Sequence, residues 1–147
     1  MTQPEGHTVL LTRAEEDNEV WAARLRLHGV KPITLPCIRT EAIDTPELRA
    51  ALAEALADAD WLVFTSRRGV EAFATLQAPE LRPETRVAVV GAATAAAATD
   101  RVGRVDLTSE AGTAASLARS LVERVAADTH VVIAVAENAG ATLPEAL

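Results

Sequence analysis

The four residues Trp61-Leu62-Val63-Phe64 are all large and apolar, with Asp60 before them and Thr65-Ser66 after. A strand with one face in water alternates apolar and polar side chains, so a run without alternation suits a sheet covered on both faces. Runs of the same kind recur as RVAVV at 86–90 and HVVIAV at 130–135, with helix-length segments between them. Parallel strands need crossovers of about a dozen residues to return in register, and helices usually supply them. The pattern therefore predicts an α/β fold built on a parallel sheet wound with helices on both faces.

The rest of the chain reads the same way. Thr8 to Arg13 is a short strand, and Val20, Trp21, Leu25 and Leu27 follow at near-helical spacing. Gly29 falls where a left-handed C-cap belongs, and Val30 to Leu35 is a second strand closed by Pro36. Residues 37–43 alternate and read as an extended crossover strand. Thr45-Pro46-Glu47 is a cap, a first-turn proline and a first-turn acid, ahead of Leu48, Leu52 and Leu56 at intervals of four. Thr65-Ser66 opens a helix to about Leu76. An alanine-rich helix around Thr94 to Ala98, a VDL strand at 105–107 and a helix over 113–126 come next. Thr142 to Leu147 looks like a helix opening of one and a half turns, marginal unless buried, so further sequence beyond Leu147 is expected.

Composition narrows the function. Of 147 residues, 49% are hydrophobic and 24% charged, which fits a folded globular chain. Fourteen Lys and Arg against twenty-one Asp and Glu give a net charge of −7, so a broad nucleic-acid face is excluded. Aromatics are only 3%, without a tyrosine, which leaves little for base stacking. Acidic or basic residues interrupt every apolar run well short of the roughly 20 needed to cross a bilayer. The N-terminus lacks a signal-peptide layout and Cys37 is the single cysteine, so a cytoplasmic location is expected.

In wound sheets, ligands gather beyond the carboxyl ends of the strands. Four loops qualify: Thr12-Arg13-Ala14-Glu15, Thr65-Ser66-Arg67-Arg68-Gly69, Gly91-Ala92-Ala93-Thr94 and Glu137-Asn138-Ala139-Gly140. In the second, Arg67 and Arg68 fall in a first helical turn, where the macrodipole disfavours cations by about 0.3–1 kcal/mol. A bound carboxylate reverses that cost, and hydroxyls, free N–H groups and guanidinium forks together recognise one well. The alternative is that Ser66 is only an N-cap and both arginines point into water. Gly91 to Thr94 admits close backbone approach but is not a dinucleotide fingerprint, and a plain strand-to-helix turn is the alternative. Arg13 either serves a ligand or pairs with Glu15 or Glu16.

Other residues read more blandly. His7, His28 and His130 lack partners at metal-ligand spacing, so no metal is expected. Cys37 reads as a small packing residue, and Trp21 and Trp61 as core or interface residues. No nucleophile, acid/base dyad or other catalytic side chain stands out.

The order TVLLTR, LRLHGVKPITLPCI, ADWLVFTSRRGVEAF, VAVVGAATAAAA and TSEAGTAASLARSL resembles the uroporphyrinogen-III synthase family, most tellingly from Asp60 to Val70. The resemblance implies two flavodoxin-like domains with substrate held between them. Residues 1–36 then open the first domain and 37–147 make the connector and most of the second. All of this chain is covered, but only about the first half of the family pattern. The first domain is thus expected to be incomplete, and turnover by these 147 residues alone is not expected.

The implied reaction is that of a cofactor-free lyase. Linear hydroxymethylbilane loses water to give an azafulvenium and closes through a spiro intermediate with inversion of the terminal ring, yielding uroporphyrinogen III. Without the enzyme the ring closes unrearranged, so the protein's part is to hold a flexible polyacid in the productive geometry. Thr65, Ser66 and Thr94 match the family's cleft hydroxyls, and Thr12 and Arg13 its first-strand end. Arg67, Arg68 and Gly91 come from the loop chemistry above. Hydroxymethylbilane is the expected partner of a monomer. The competing reading is a non-catalytic flavodoxin-like module that binds a tetrapyrrole or a small carboxylate.

Overall fold

In the computed structural model, which describes residues 7–76, 80–136, 143 and 145, strands and helices alternate throughout. Among the described residues the order is β1 (Thr8–Leu11), α1 (Glu15–Leu27), β2 (Lys31–Thr34), α2 (Pro46–Leu56), β3 (Trp61–Phe64), α3 (Arg67–Thr75), β4 (Arg86–Val89), α4 (Gly91–Val102), β5 (Leu107–Thr108), α5 (Ala114–Val122) and β6 (Val131–Ala134). Their strand pairings are all parallel, and the fold class is α/β. The chain divides into two compact units, Met1–Glu41 and Ala42–Leu147.

The second unit holds a four-stranded sheet in the order β5-β4-β3-β6. Successive side chains on a strand point to opposite faces, so each strand feeds two cores. Leu62, Phe64, Val87 and Val89 meet Leu56 of α2, Val70 and Phe73 of α3 and Ala98 of α4 on one face. Trp61, Val63 and Ala88 meet Leu117, Ala118 and Leu121 of α5, with Leu143, on the other. Helices cover both faces, which is why all four residues of β3 are buried. Each such Leu, Val or Phe contributes about 1.5–3 kcal/mol of burial. The rings of Phe64 and Phe73 add an edge-to-face pair at 5.3 Å.

The helix starts follow from local chemistry. The Thr45 hydroxyl accepts from the Leu48 N–H at 3.2 Å and Pro46 opens α2. Just before it, Arg49 forks onto Asp44 at 2.6 and 2.7 Å, and that hydrogen bond holds the Asp44 carboxyl below the usual carboxylate range. Ser66 caps α3 and Thr113 caps α5 by accepting from Gly69 N–H and Ser116 N–H.

In the first unit β1 pairs with β2, and Leu10 stands opposite Ile33. Both are about half exposed, so this face of the two-stranded sheet leaves an apolar pair open beside Thr8 and Lys31. The inward face of α1 is instead set by Ala14, Asn18 and Ala22, spaced by four. Trp21 lies one residue off that line, about 100° around the helix, and is 51% exposed; of the expected core or interface roles, Trp61 takes the core one and Trp21 is no core residue of this chain.

Other expectations need correction. Residues 37–43 form no strand; past β2 the chain follows β1 only through Leu35 N–H to Leu11 O at 2.8 Å and Cys37 N–H to Thr12 O at 3.2 Å. Cys37 is exposed rather than packed, its thiol donating to Leu35 O at 3.3 Å. The short strand predicted at 105–107 is β5 at Leu107–Thr108. Asp106 shifts it: its carboxylate accepts the Val87 N–H at 2.7 Å, in the place of a strand carbonyl. The alanine-rich helix starts three residues early, at Gly91, and Leu48 is 39% exposed while Leu56 is buried. The predicted 137–140 loop and the helix opening at 142–147 lie outside the described residues, apart from Leu143 and Glu145. Among the described residues no helix is long and apolar enough to cross a membrane.

Candidate functional site

Register brings the carboxyl ends of the four strands to one level. Phe64 stands beside Val89 and Ala134, and Val89 beside Thr108. The ladder continues one step further, with Val90 N–H bonding Phe64 O at 3.1 Å and Ser109 N–H bonding Val89 O at 3.0 Å. Thr65, Val90, Ser109 and Val135 therefore leave the sheet together, and their loops share a rim. From β3 the chain winds outward to β4 and β5, then α5 carries it back across to β6. The strand order reverses between β3 and β6, the place where wound sheets take ligands.

Thr65 to Gly69 forms one side of that rim. Thr65 is half-buried, Ser66 exposed, and the Ser66 hydroxyl accepts from Gly69 N–H at 3.1 Å. Arg67 and Arg68 occupy the first turn of α3, which carries no acid. Arg67 pairs with Glu71 one turn on, Nε to Oε1 at 3.4 Å, so its charge is balanced from its own helix. Ser66 is the N-cap of α3, as the alternative reading had it.

The start of α4 differs from the other two. Its N-cap is Val90, without a side-chain cap, and its first turn carries no acid. The leading N–H groups of a helix lack intrahelical acceptors and carry partial positive charge, so this terminus favours an anion. Gly91 adopts φ +76° and Gly112 φ +63°, and a Cβ on Gly91 would stand 3.9 Å from Gly112 Cα. These conformations, strained for other residues, bring two backbones together beside the terminus. Thr94, at the end of the first turn, is only 4% exposed, yet among the described residues nothing hydrogen-bonds its hydroxyl. Its Cα–Cβ bond leans toward the helix start, as every such bond in a helix does.

Ser109, Gly112 and Thr113 share the same rim but were not among the residues the loop argument selected. Ser109 is buried; its hydroxyl donates to Thr113 O at 3.1 Å and accepts from Thr113 N–H at 3.3 Å, which shapes the turn into α5. The signal was available in T-S-E-A-G-T, hydroxyls and a glycine just ahead of an apolar-periodic segment.

Thr12 and Arg13 belong to the first unit, beyond the carboxyl end of β1, and both are exposed. The partner of Arg13 is neither Glu15 nor Glu16 but Asp17, Nε to Oδ2 at 3.3 Å, one helical turn along α1.

At the amino ends of β3 and β4 lies a cavity of about 410 Å³, lined by Asp60, Trp61, Glu84, Arg86, Arg124, Asp128 and Thr129. Its charges are of mixed sign, and the face of Trp61 is taken by the Arg86 guanidinium at 5.5 Å. Among the described residues no helix start converges there, so the carboxyl rim is the better candidate. Among the described residues no cluster of His, Cys, Asp or Glu is arranged to hold a metal ion.

Residues 19–147 match the family model described as uroporphyrinogen-III synthase HemD. The porphyrin biosynthesis protein HemD of Ruminiclostridium josui is 30% identical over 135 residues, covering 87% of this chain and 26% of that protein. The solved uroporphyrinogen III synthase of the extremely thermophilic bacterium Thermus thermophilus superposes with a TM-score of 0.58 at 21% identity, over 97% of this chain and 56% of that one. The chain thus spans about a quarter of the curated relative and little more than half of the solved one.

Proposed function

This chain belongs to the uroporphyrinogen-III synthase family, and from that premise we propose that it supplies a substrate-gripping rim for closing hydroxymethylbilane to uroporphyrinogen III, with loss of water and inversion of the terminal ring. The reaction class is a cyclising lyase, and the reading assigns it no cofactor. Its difficulty is geometric: a flexible linear tetrapyrrole must be folded so that attack falls on the substituted carbon, and holding reactants in such a geometry lowers a barrier by several kcal/mol.

Thr94 carries the reading. Thr94 is a buried residue whose hydroxyl hydrogen-bonds none of the described residues, and a hydroxyl at the mouth of an uncapped helix is suited to a carboxylate. A hydrogen bond to a charged group there contributes about 1.5–3 kcal/mol. Thr65 and Ser66, with Arg67 and Arg68, would take a second carboxylate, and Gly91 lets a substrate approach the backbone. In the first unit, Thr12 and Arg13 are read as carboxylate-binding residues in their own right.

Residues 1–36 open a domain that needs further strands, and 37–147 form most of another. The open faces of Leu10 and Ile33 support this, since a two-stranded sheet buries too little to be stable by itself. The activity test is incubation with hydroxymethylbilane, oxidation to porphyrins and separation of isomers. This chain joined to the remaining length of the family pattern is expected to yield isomer III above the buffer control. Isomer I alone, at the control rate, contradicts the proposal.

A further inference from the structure

Asn18 is the one polar residue on the inward face of α1, between Ala14 and Ala22, and it is 1% exposed. Packing alone would be served by another small apolar residue, so the amide needs a separate explanation. Its two ends are spent on a single residue: Oδ1 accepts the Arg13 N–H at 3.1 Å, and Nδ2 donates to the Arg13 carbonyl at 2.9 Å. The orientation of the amide is fixed, because the N–H requires an acceptor and the carbonyl a donor. A neighbouring strand usually provides such a pair of bonds; here a side chain provides it just beyond the end of β1. The Arg13 side chain stays 64% exposed, with its Nε on Asp17 Oδ2 at 3.3 Å.

We infer that Asn18 is a positioning residue, clamping the Arg13 backbone so that its guanidinium is held ready for a substrate carboxylate. The inference rests on the function proposed above and extends it to a residue that touches no substrate. An arginine whose backbone is already fixed loses less conformational freedom on binding, and so binds more tightly.

The test is a double-mutant cycle on the 147-residue chain, with uroporphyrin III as the stable polyacid probe and amide exchange at residue 13 as an independent readout. Asn18→Ala is expected to speed exchange of the Arg13 amide at least about tenfold and to weaken uroporphyrin binding about tenfold, the scale of one charged hydrogen bond. In an Arg13→Ala background the same change is expected to weaken binding no further. Equal weakening in both backgrounds, or none in either, overturns the inference. Should Asn18→Ala not fold, Asn18→Leu, which loses both the acceptor and the donor without leaving a cavity, is read by the same criteria. If the parent chain binds no uroporphyrin while its Arg13 amide depends on Asn18 for protection, the functional reading fails, and the role of Asn18 in binding fails with it.

Discussion

Gly69, in the first turn of α3, sits against the end of β6 so closely that a Cβ atom on it would stand 3.1 Å from the carbonyl oxygen of Ala134. The approach lies where the strand order reverses, so the width of the rim there depends on a missing side chain. Two effects oppose each other in Gly69→Ala: alanine gains up to about 1 kcal/mol in a helix, and the tight contact offsets it. Stability within about 1 kcal/mol of the parent is therefore expected. Gly69→Val adds two branches that the carbonyl cannot accommodate, and a loss of about 1–3 kcal/mol is expected. Urea midpoints for the two variants decide the matter; equal midpoints would show that the contact carries no constraint.

Thr94 separates binding from folding. Valine has nearly the same shape, and a hydroxyl that bonds none of the described residues contributes little to the fold, so Thr94→Val should leave stability unchanged or slightly raised. Uroporphyrin binding by the same variant should fall about tenfold. Thermal melts beside porphyrin titrations read both. A large loss of stability with binding intact would mean that the hydroxyl serves the core.

Asp44 and Arg49 give a pH dependence of known sign. The Arg49 fork holds the Asp44 carboxyl below its ordinary value, so the pair favours the folded state above the ordinary carboxylate range. That contribution is lost as pH falls through the lowered value. Both side chains are well exposed, so the effect on overall stability is small and weakens with salt. Carboxyl carbon titration by NMR should show Asp44 moving up toward its ordinary value in Arg49→Gln. An unmoved titration would remove the fork as the cause.

The two-faced wrap of β3 was readable from Trp61 to Phe64, because a run without alternation leaves few other arrangements. The caps at Thr45 and Ser66 were equally readable, since hydroxyl capping depends on residues three apart. What depends on distant residues was not. Asp106 displaced β5 by lending its carboxylate to β4, and no local pattern announces that. For Trp21 the sequence leaves core and interface roles open, and the small residues Ala14, Asn18 and Ala22 fix which side of α1 faces inward. The loops that hold Thr65, Ser66, Arg67, Arg68, Gly91 and Thr94 follow from the strand ends, and the resemblance singles out Thr65, Ser66 and Thr94 among them. Ser109 and Gly112 escaped because β5 is only two residues long.

The central claim is that loops and helix starts at the carboxyl edge of the β5-β4-β3-β6 sheet recognise a polyacid tetrapyrrole. Amide chemical-shift mapping of the 147-residue chain during titration with uroporphyrin III tests it most directly. The account predicts the largest shifts at Thr65 to Gly69, Gly91 to Thr94 and Ser109 to Thr113. Shifts centred on Trp61, Arg86 and Arg124 at the opposite edge, or none at saturating porphyrin, would contradict it.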